Sequence, residues 1–202
     1  WGVFFGNPQT DFLTMRFPST GWGILSESDS NKSVYDFRYS WGFGNRIVNF
    51  GLGWGYSFGD VKHFNRSGII FLGGLVRPIP QLSVGLQRTF PFEGTNGESV
   101  AEIAVRPIGS YPMTFFADAS MFDNQSIKDA YWSAGLSWEV IDGFRLNGRY
   151  FKNKGFSVGI DLSFGRFGIA SQSHFNSDNE YGYNSYYFIA GAPDRTFLDK
   201  FQ

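Results

Sequence analysis

The amino-acid sequence predicts an all-β chain that folds as a single antiparallel, up-and-down transmembrane β-barrel of about twelve to fourteen strands. The first observation is an unbroken alternation between residues 46 and 58. It sets Val48, Phe50, Leu52, Trp54, Tyr56 and Phe58 against Asn49, Gly51, Gly53, Gly55 and Ser57. Because successive side chains of a strand point to opposite faces, one face is aromatic and the other is small and weakly polar. The second observation is that the polar face carries no Lys or Glu, which the wet face of a soluble sheet normally does.

Composition is the third observation. Charged residues make up 17% of the chain, against about 25% in an average globular protein, whereas aromatic residues reach 20%, with 24 Phe and 26 Gly. The net charge of −1 gives no attraction to nucleic acid, and the absence of cysteine excludes disulfides and thiolate metal sites. The longest apolar run, 69–76, is far shorter than the ~20 residues of a spanning helix. A membrane crossing would therefore require a closed barrel.

The strands follow in order along the chain. Residues 1–32 contain three shorter or irregular strands, at 1–5, 11–17 and 21–27, and residues 33–191 form a regular meander of about eleven strands. Little helix is expected, because no long segment repeats with a period of 3.6 residues. Residues 192–202 are expected to form a periplasmic exit tail. Period-2 alternation is clearest at 33–43, 82–87, 113–120, 132–138, 144–150 and 156–164.

The connections differ in kind. Tight turns are expected at 44–45, 77–80, 107–110, 141–143 and 165–166, and longer or more hydrophilic loops at 59–66, 91–97, 123–129, 152–155 and 176–182. Outer-membrane barrels have short periplasmic turns, so an even strand number predicts that both termini are periplasmic. The lysines all fall in loops or the tail: Lys32, Lys62, Lys128, Lys152, Lys154 and Lys200. Val76-Arg77-Pro78-Ile79 recurs as Val105-Arg106-Pro107-Ile108, although two copies do not make a repeat array.

Side-chain parity predicts which residues line the lumen and which contact lipid. The charged lumen residues are Asp36, Arg38, Glu102, Asp118, Arg145, Arg149 and Asp161, and the lipid-facing residues are Phe50, Leu52, Trp54, Leu136, Val158, Ile160 and Leu162. A three-residue loop at 152–154 would place Arg145 opposite Asp161. The inward charges are interpreted as an ion-pair ladder that neutralises a narrow lumen, with a selectivity lining as the functional alternative.

No catalytic, metal or cofactor site is predicted. His63 and His174 are isolated, and the sequence contains no HxH or HExxH spacing and no GxSxG elbow. No lysine lies on a strand near a serine, so a Ser-Lys dyad has no place. The acidic segments 26–31 and 176–180 do not have EF-hand spacing and are read as solvated loop tips.

The C-terminal third carries a resemblance. Segments 143–151 (GFRLNGRYF), 155–164 (GFSVGIDLSF) and 193–200 (PDRTFLDK) resemble the barrel segment that accompanies signal peptide peptidase A-type (protease IV-like) serine peptidases in some diderm bacteria. This resemblance implies that a catalytic Ser and Lys would lie beyond Gln202. More loosely, the hairpins resemble the fourteen-stranded barrels of fatty-acid transporters and type IX secretion. The short segment before Ser33 leaves little room for the hatch of the former.

The sequence therefore predicts an integral outer-membrane barrel, not an enzyme, that serves as a scaffold or anchor for a periplasmic domain or as a narrow passive pore. One alternative is a transporter or secretion-linked barrel that binds an apolar ligand or a protein partner. The other is a soluble sandwich or lipocalin-like binder whose aromatic rows form a core. Expected partners are the lipid bilayer and lipopolysaccharide, with a fused or associated periplasmic domain, and no nucleic acid.

Overall fold

A computed structural model describes residues 2–6, 10–16, 20–29, 31–93, 96–107, 112–164, 167–178 and 180–190. These residues form fourteen strands. The strands are β1 (Gly2–Gly6), β2 (Thr10–Arg16), β3 (Thr20–Asp29), β4 (Lys32–Gly44), β5 (Val48–Gly59), β6 (Ile69–Ile79), β7 (Leu82–Pro91), β8 (Glu98–Val105), β9 (Met113–Phe122), β10 (Tyr131–Ile141), β11 (Phe144–Phe151), β12 (Gly155–Phe164), β13 (Phe167–Phe175) and β14 (Tyr181–Ala190).

The strands close into one antiparallel barrel in which each pairs with its neighbours in the sequence. The first and last strands complete the circle, with Gly2 opposite Ile189 and Gly6 opposite Ser185. Closure leaves no unpaired sheet edge, so the backbone N–H and C=O groups of the strands can be satisfied within the sheet. The predicted fold class, an all-β, up-and-down transmembrane barrel, is confirmed.

The alternation seen in the sequence becomes an inside and an outside. On β5 and the adjoining β4, Asp36 is 1% exposed and Ser57 is 8% exposed, whereas Phe50 and Tyr56 are 52% and 59% exposed. The small and polar row is therefore buried by the curvature of the barrel, and the aromatic row covers its outer surface. Apolar side chains on the outside of a sheet match the outward-facing band of transmembrane barrels.

The two ends of the barrel differ in their connections. One end, called here the short-turn end, lies between the paired ends of β4 and β5, β6 and β7, and β10 and β11, and its described connections are 45–47, 80–81 and 142–143. The opposite, long-loop end has the described connections 60–68, 123–130 and 152–154. Within the described residues the sole helical element is the 3-10 turn Ile127–Asp129 in the 123–130 loop. None of the described helical residues belongs to a segment long and apolar enough to cross a membrane as a helix.

Three local expectations need correction. β3 is a regular ten-residue strand rather than an irregular one, because it pairs along its whole length with β4. The turn predicted at 77–80 is shorter, since β6 continues to Ile79 through a register shift after Val76. At this bulge Arg77 N donates to Ile47 O at 2.6 Å, and Pro78 has no N–H to leave unpaired. Lys32, expected in a loop, begins β4 opposite Asp29.

The inner row also contains aromatic rings, which differs from the small, weakly polar face expected. Phe71 lies opposite Gly53 and Phe116 lies opposite Gly135. A Cβ added to Gly53 would come within 2.1 Å of the Phe71 ring and 2.6 Å of the Tyr39 carbonyl oxygen. Each ring therefore occupies the space that a glycine leaves on the neighbouring strand.

We expect Gly53→Ala to destabilise the barrel by about 1–3 kcal/mol, because the added methyl group overpacks against a ring and a backbone oxygen. Gly51→Ala is the matched control on the same strand and face, since its Cβ would meet nothing closer than 3.7 Å. Urea unfolding of the refolded protein in lipid vesicles measures both. Equal unfolding midpoints for the two variants would contradict the described packing.

Candidate functional site

The seven charged residues predicted for the lumen lie on one continuous face of the sheet. The strand register places them on the same side of the sheet. Asp118 lies opposite Glu102, and Arg145 lies opposite Asp161. Arg38 lies opposite Gly55, which is on the same row of β5 as Ser57. Asp36 is the most deeply buried of the seven, at 1% exposure. The inner row is therefore a lining of alternating charge, glycine, serine and single aromatic rings.

The residues predicted to face lipid lie on the opposite face. Phe50, Leu52 and Trp54 on β5 are 40% to 52% exposed, and Val158 and Ile160 on β12 are 47% and 46% exposed. Leu136 and Leu162 share the outer row but are only partly exposed. Phe115 and Gly148 are the cross-strand partners of Leu136, and Phe144 and Ile169 those of Leu162.

Arg88 departs from the near-absence of charge expected on the outer row. Arg88 lies between Leu72 and Ser99 on the outer row of β7. Its guanidinium forms an ion pair with Asp123, donates to Ser99 Oγ at 2.5 Å, and lies 5.4 Å from the centre of the Phe90 ring. Arg88 is near the long-loop end of its strand, where the cost of an outward charge falls toward zero.

The first inner cluster surrounds Asp36. The guanidinium of Arg38 lies 3.6 Å from the Asp36 carboxylate, and that of Arg66 lies 3.7 Å away. Arg66 also donates to Glu27 Oε2 at 2.7 Å. Asp36 Oδ1 has no hydrogen-bond partner, so the buried carboxylate depends on these two cations for its electrostatic compensation.

Arg66 belongs to the 60–68 loop, which is tied to the β3–β4 hairpin at the long-loop mouth. Ser33 N donates to Asp60 Oδ2 at 3.0 Å. The His63 ring lies 3.2 Å from Lys32 Nζ and 3.4 Å from Asp29 Oδ2. His63, which the sequence suggested is isolated, therefore joins this loop to the hairpin, and Arg66 brings the loop's charge onto the lumen wall.

The second cluster lies on β9 to β11. Arg149 forms an ion pair with Asp118, and its Nε donates to Ser133 Oγ at 2.7 Å. Ser133 in turn donates to Asp118 Oδ2 at 2.7 Å, which closes a three-membered network. The guanidinium lies 4.9 Å from the Phe151 ring centre and 5.6 Å from that of Phe116. These contacts hold Arg149 against the wall.

The third cluster includes the predicted pair Arg145 and Asp161. The two residues are cross-strand partners, as the three-residue loop requires. Their charges nevertheless have other neighbours: Asp161 accepts from Asn147 Nδ2 at 2.9 Å, and Arg145 lies 3.9 Å from Glu139. The expected ladder is therefore a set of separate clusters. Arg145 approaches its direct partner on β10, Glu139, and Asp161 bonds diagonally to Asn147.

The wall formed by β5, β6 and β7 is different, because it is lined by glycine. Gly51 pairs with Gly73, and Gly85 follows at the next level. A cavity of about 330 Å3 lies against these glycines, Asn49 and Gln87. A second cavity, of about 400 Å3, shares Leu75 and Glu102 with the first and extends to Arg77 and Arg106. The free space therefore runs along the glycine wall toward the short-turn end.

Several lumen residues were not among the sequence-based candidates: Glu27, Glu139, Arg66, Arg77 and Arg106. Parity alone could have identified Glu139, since it follows Trp138 on a clearly alternating strand. Arg66 lies in a loop without periodicity, and the segment containing Arg77 was expected to turn. His174, expected to be isolated, lies between Phe151 and Tyr183, with ring centres 5.7 Å and 5.1 Å away. In the described residues no three His, Asp or Glu side chains converge as a metal site would require.

Comparison with known proteins identifies no matching family model and no matching curated protein. Solved structures do match over nearly the whole chain. The KdgM porin shares 11% identity at a TM-score of 0.57, covering 95% of this chain and 97% of its own. Omp33 of Acinetobacter baumannii shares 7% at 0.60, covering 94% of each chain. The CymD monoaromatic hydrocarbon channel shares 9% at 0.56, covering 95% and 86%.

These likenesses show that the chain has the fold of outer-membrane porins. At such low identity they show the fold alone. The resemblance to the barrel segment of signal peptide peptidase A-type proteins is not among them and stays a prediction, as does the looser resemblance to fatty-acid transporter and type IX secretion barrels. One of the three segments that carry the peptidase resemblance, 193–200, lies outside the described residues.

We expect Arg149→Gln to lower the free energy of unfolding by about 1–3 kcal/mol, because it leaves the Asp118 carboxylate, 18% exposed, beside Glu102 without a cation. Adding Asp118→Asn should recover at least half of that loss. Arg88→Gln is the control, since its more exposed pair should contribute less than about 1 kcal/mol. Urea unfolding in vesicles measures these variants and Asp118→Asn alone, and additive effects of the two inner substitutions would refute the coupling.

Proposed function

We propose that this protein is a narrow, passive pore of the bacterial outer membrane. The observation that carries the proposal is the free space along the glycine wall of β5, β6 and β7. The two adjoining cavities there, of about 330 and 400 Å3, are open rather than closed, and their inner-row lining bears charges, amides and hydroxyls. Small polar solutes and ions are the species that such a lining accommodates.

Bulkier side chains beyond β8 account for a narrow passage. On the inner row of β9 to β11, Arg149 packs against the rings of Phe116 and Phe151. At the long-loop mouth the 60–68 loop brings Arg66 to Glu27 and Asp36. These acids and arginines form ion pairs that hold their side chains against the barrel wall. Because each pair is close to neutral, it leaves no strong electrostatic field of either sign across the lumen.

Two other roles predicted from the sequence make different demands. A transporter of apolar ligands would require an apolar path, whereas the glycine wall ends among Glu102, Arg77 and Arg106. A scaffold or anchor for a periplasmic domain requires no passage at all. The inner cavities therefore favour the pore, and conductance separates these roles.

We expect the purified protein to form ion-conducting channels in planar bilayers, and we expect Gly73→Phe to reduce the single-channel conductance by about half or more. The added ring would occupy the cavity beside Gly51 and Gly85, where a Cβ at Gly73 meets nothing closer than 3.7 Å. Gly74→Phe is the matched control. Gly74 is the next residue along the strand and lies on the outer row, opposite Phe50 and Leu86.

The conductance of the Gly74 variant should equal that of the parent protein. A silent parent protein would refute the pore and favour the scaffold role. Equal conductance for the Gly73 variant and the parent would instead place the ion path away from the glycine wall.

We further propose that the short turns face the periplasm, in keeping with the connection lengths of outer-membrane barrels. Because the chain contains no cysteine, single introduced cysteines can report sidedness without background. In intact cells we expect Lys62→Cys, in the 60–68 loop, to react with a membrane-impermeant maleimide. Asp142→Cys, in the 142–143 turn, should react only after lysis, and the reverse pattern would invert the orientation.

A further inference from the structure

The repeated segment Val-Arg-Pro-Ile has a structural counterpart at the short-turn end. Its two arginines, Arg77 at the end of β6 and Arg106 just after β8, line the same cavity of about 400 Å3. Each follows an inner-row residue by two positions, Leu75 on one strand and Ala104 on the other. The repeat therefore places two guanidinium groups at the short-turn mouth of the lumen.

The backbone at both arginines is held in place. Arg77 N donates to Ile47 O at 2.6 Å, and Arg106 N donates to Gln81 O at 2.8 Å. The proline after each arginine restricts it to an extended conformation. These restraints limit the backbone freedom of both residues. The Cα atoms of the two arginines are therefore held in fixed positions beside the same cavity.

Among the inner-wall arginines whose side chains the structure describes, these two differ from the others in lacking a carboxylate partner. Arg38, Arg66, Arg145 and Arg149 each lie within 4 Å of an acid: Asp36, Glu27 and Asp36, Glu139, and Asp118. Among the residues that the structure describes, no acidic oxygen lies that close to Arg77 or Arg106, and the side-chain partner found for Arg106 is Thr114 Oγ1, at 3.2 Å from Nε. Two guanidinium groups therefore retain unused donors toward the cavity.

The remaining lining is suited to a small anion. Gln81 and Ser83 add polar groups, and Glu102 is the acid that lines the cavity, so two arginines and one glutamate leave an excess positive charge. Guanidinium groups bind carboxylate and phosphate oxygens through paired hydrogen bonds. A cavity of this size lies in the range of small-ligand sites.

We propose that Arg77 and Arg106 form a binding site for a small oxyanion, a carboxylate or a phosphate, at the short-turn mouth of the lumen. The proposed pore would then contain an anion-binding site. The site rests on the proposed pore only in that anions would reach it through the lumen. Binding itself does not require conduction. A silent barrel that binds phosphate would refute the pore and leave the site standing.

The test is isothermal titration calorimetry of the refolded protein in neutral detergent. The protein is titrated with inorganic phosphate and, in a separate experiment, with malonate. We expect saturable binding to at least one anion, weakened about tenfold or more in Arg77→Gln and in Arg106→Gln, because each loses charge-assisted hydrogen bonds. Arg46→Gln is the matched control, since Arg46 lies in the 45–47 turn at the same end but does not line the cavity. It should bind as the parent protein does.

The lysine variants Arg77→Lys and Arg106→Lys keep the charge, so they report on the site even if a glutamine variant fails to fold. We expect them to bind more weakly than the parent but more tightly than the glutamine variants, since lysine retains the charge and loses the paired geometry. No binding of either anion to the folded parent, or equal losses in Arg46→Gln and the cavity variants, would overturn the site.

Phosphate can also come from a lipid headgroup, so the titration is repeated with phosphatidylglycerol added to the micelles. A site for free anions within the lumen should bind inorganic phosphate with the same affinity whether or not the micelles contain phosphatidylglycerol. If only the lipid binds, and the cavity variants abolish that binding, the arginines serve the membrane surface and the proposed site is refuted.

Discussion

The structure depends on the requirement that every strand of a lipid-surrounded sheet have a hydrogen-bonded neighbour on each side. Hydrocarbon provides no donors or acceptors, so an open edge would leave a row of N–H and C=O groups unpaired. Pairing of β14 with the five-residue β1 removes that edge. Once the sheet is closed, alternation along each strand divides its side chains into two rows. One row meets the surroundings of the barrel, and the other faces the lumen, where its charges lie close to one another.

The inner row is built in two different ways, one of which fills the lumen with side chains while the other leaves it open. On β9 to β11 charged groups are satisfied by contact, as in the Arg149, Ser133 and Asp118 network, and aromatic rings fill the remaining space. On β5 to β7 glycine removes side chains altogether, which leaves unfilled volume. A barrel filled entirely in the first way would be a plugged scaffold. The glycine wall is the feature on which the proposed pore depends.

The two ends of the lumen also differ electrostatically. At the long-loop end the charge of Arg66 is neutralised by Glu27 and Asp36. At the short-turn end Arg77 and Arg106 share a cavity in which Glu102 is the acid among the described lining residues. The porin fold shared with the solved structures does not prescribe such a difference, because at 7% to 11% identity the likeness is one of backbone geometry. The chemistry of this lumen therefore has to be argued from its own residues.

Periodicity in the sequence by itself determined the fold class, the inner or outer side of residues such as Asp36 and Phe50, and the register that places Arg145 opposite Asp161. These are local properties, since side-chain direction alternates with each residue and a short loop sets the pairing. Only the tertiary structure decided that Arg149 pairs with Asp118, that Arg66 reaches Asp36, and that Arg77 and Arg106, 29 positions apart in number, line one cavity. Such contacts depend on the curvature and stagger of the closed sheet, and on bulges such as the one that extends β6 to Ile79, none of which a period of two encodes.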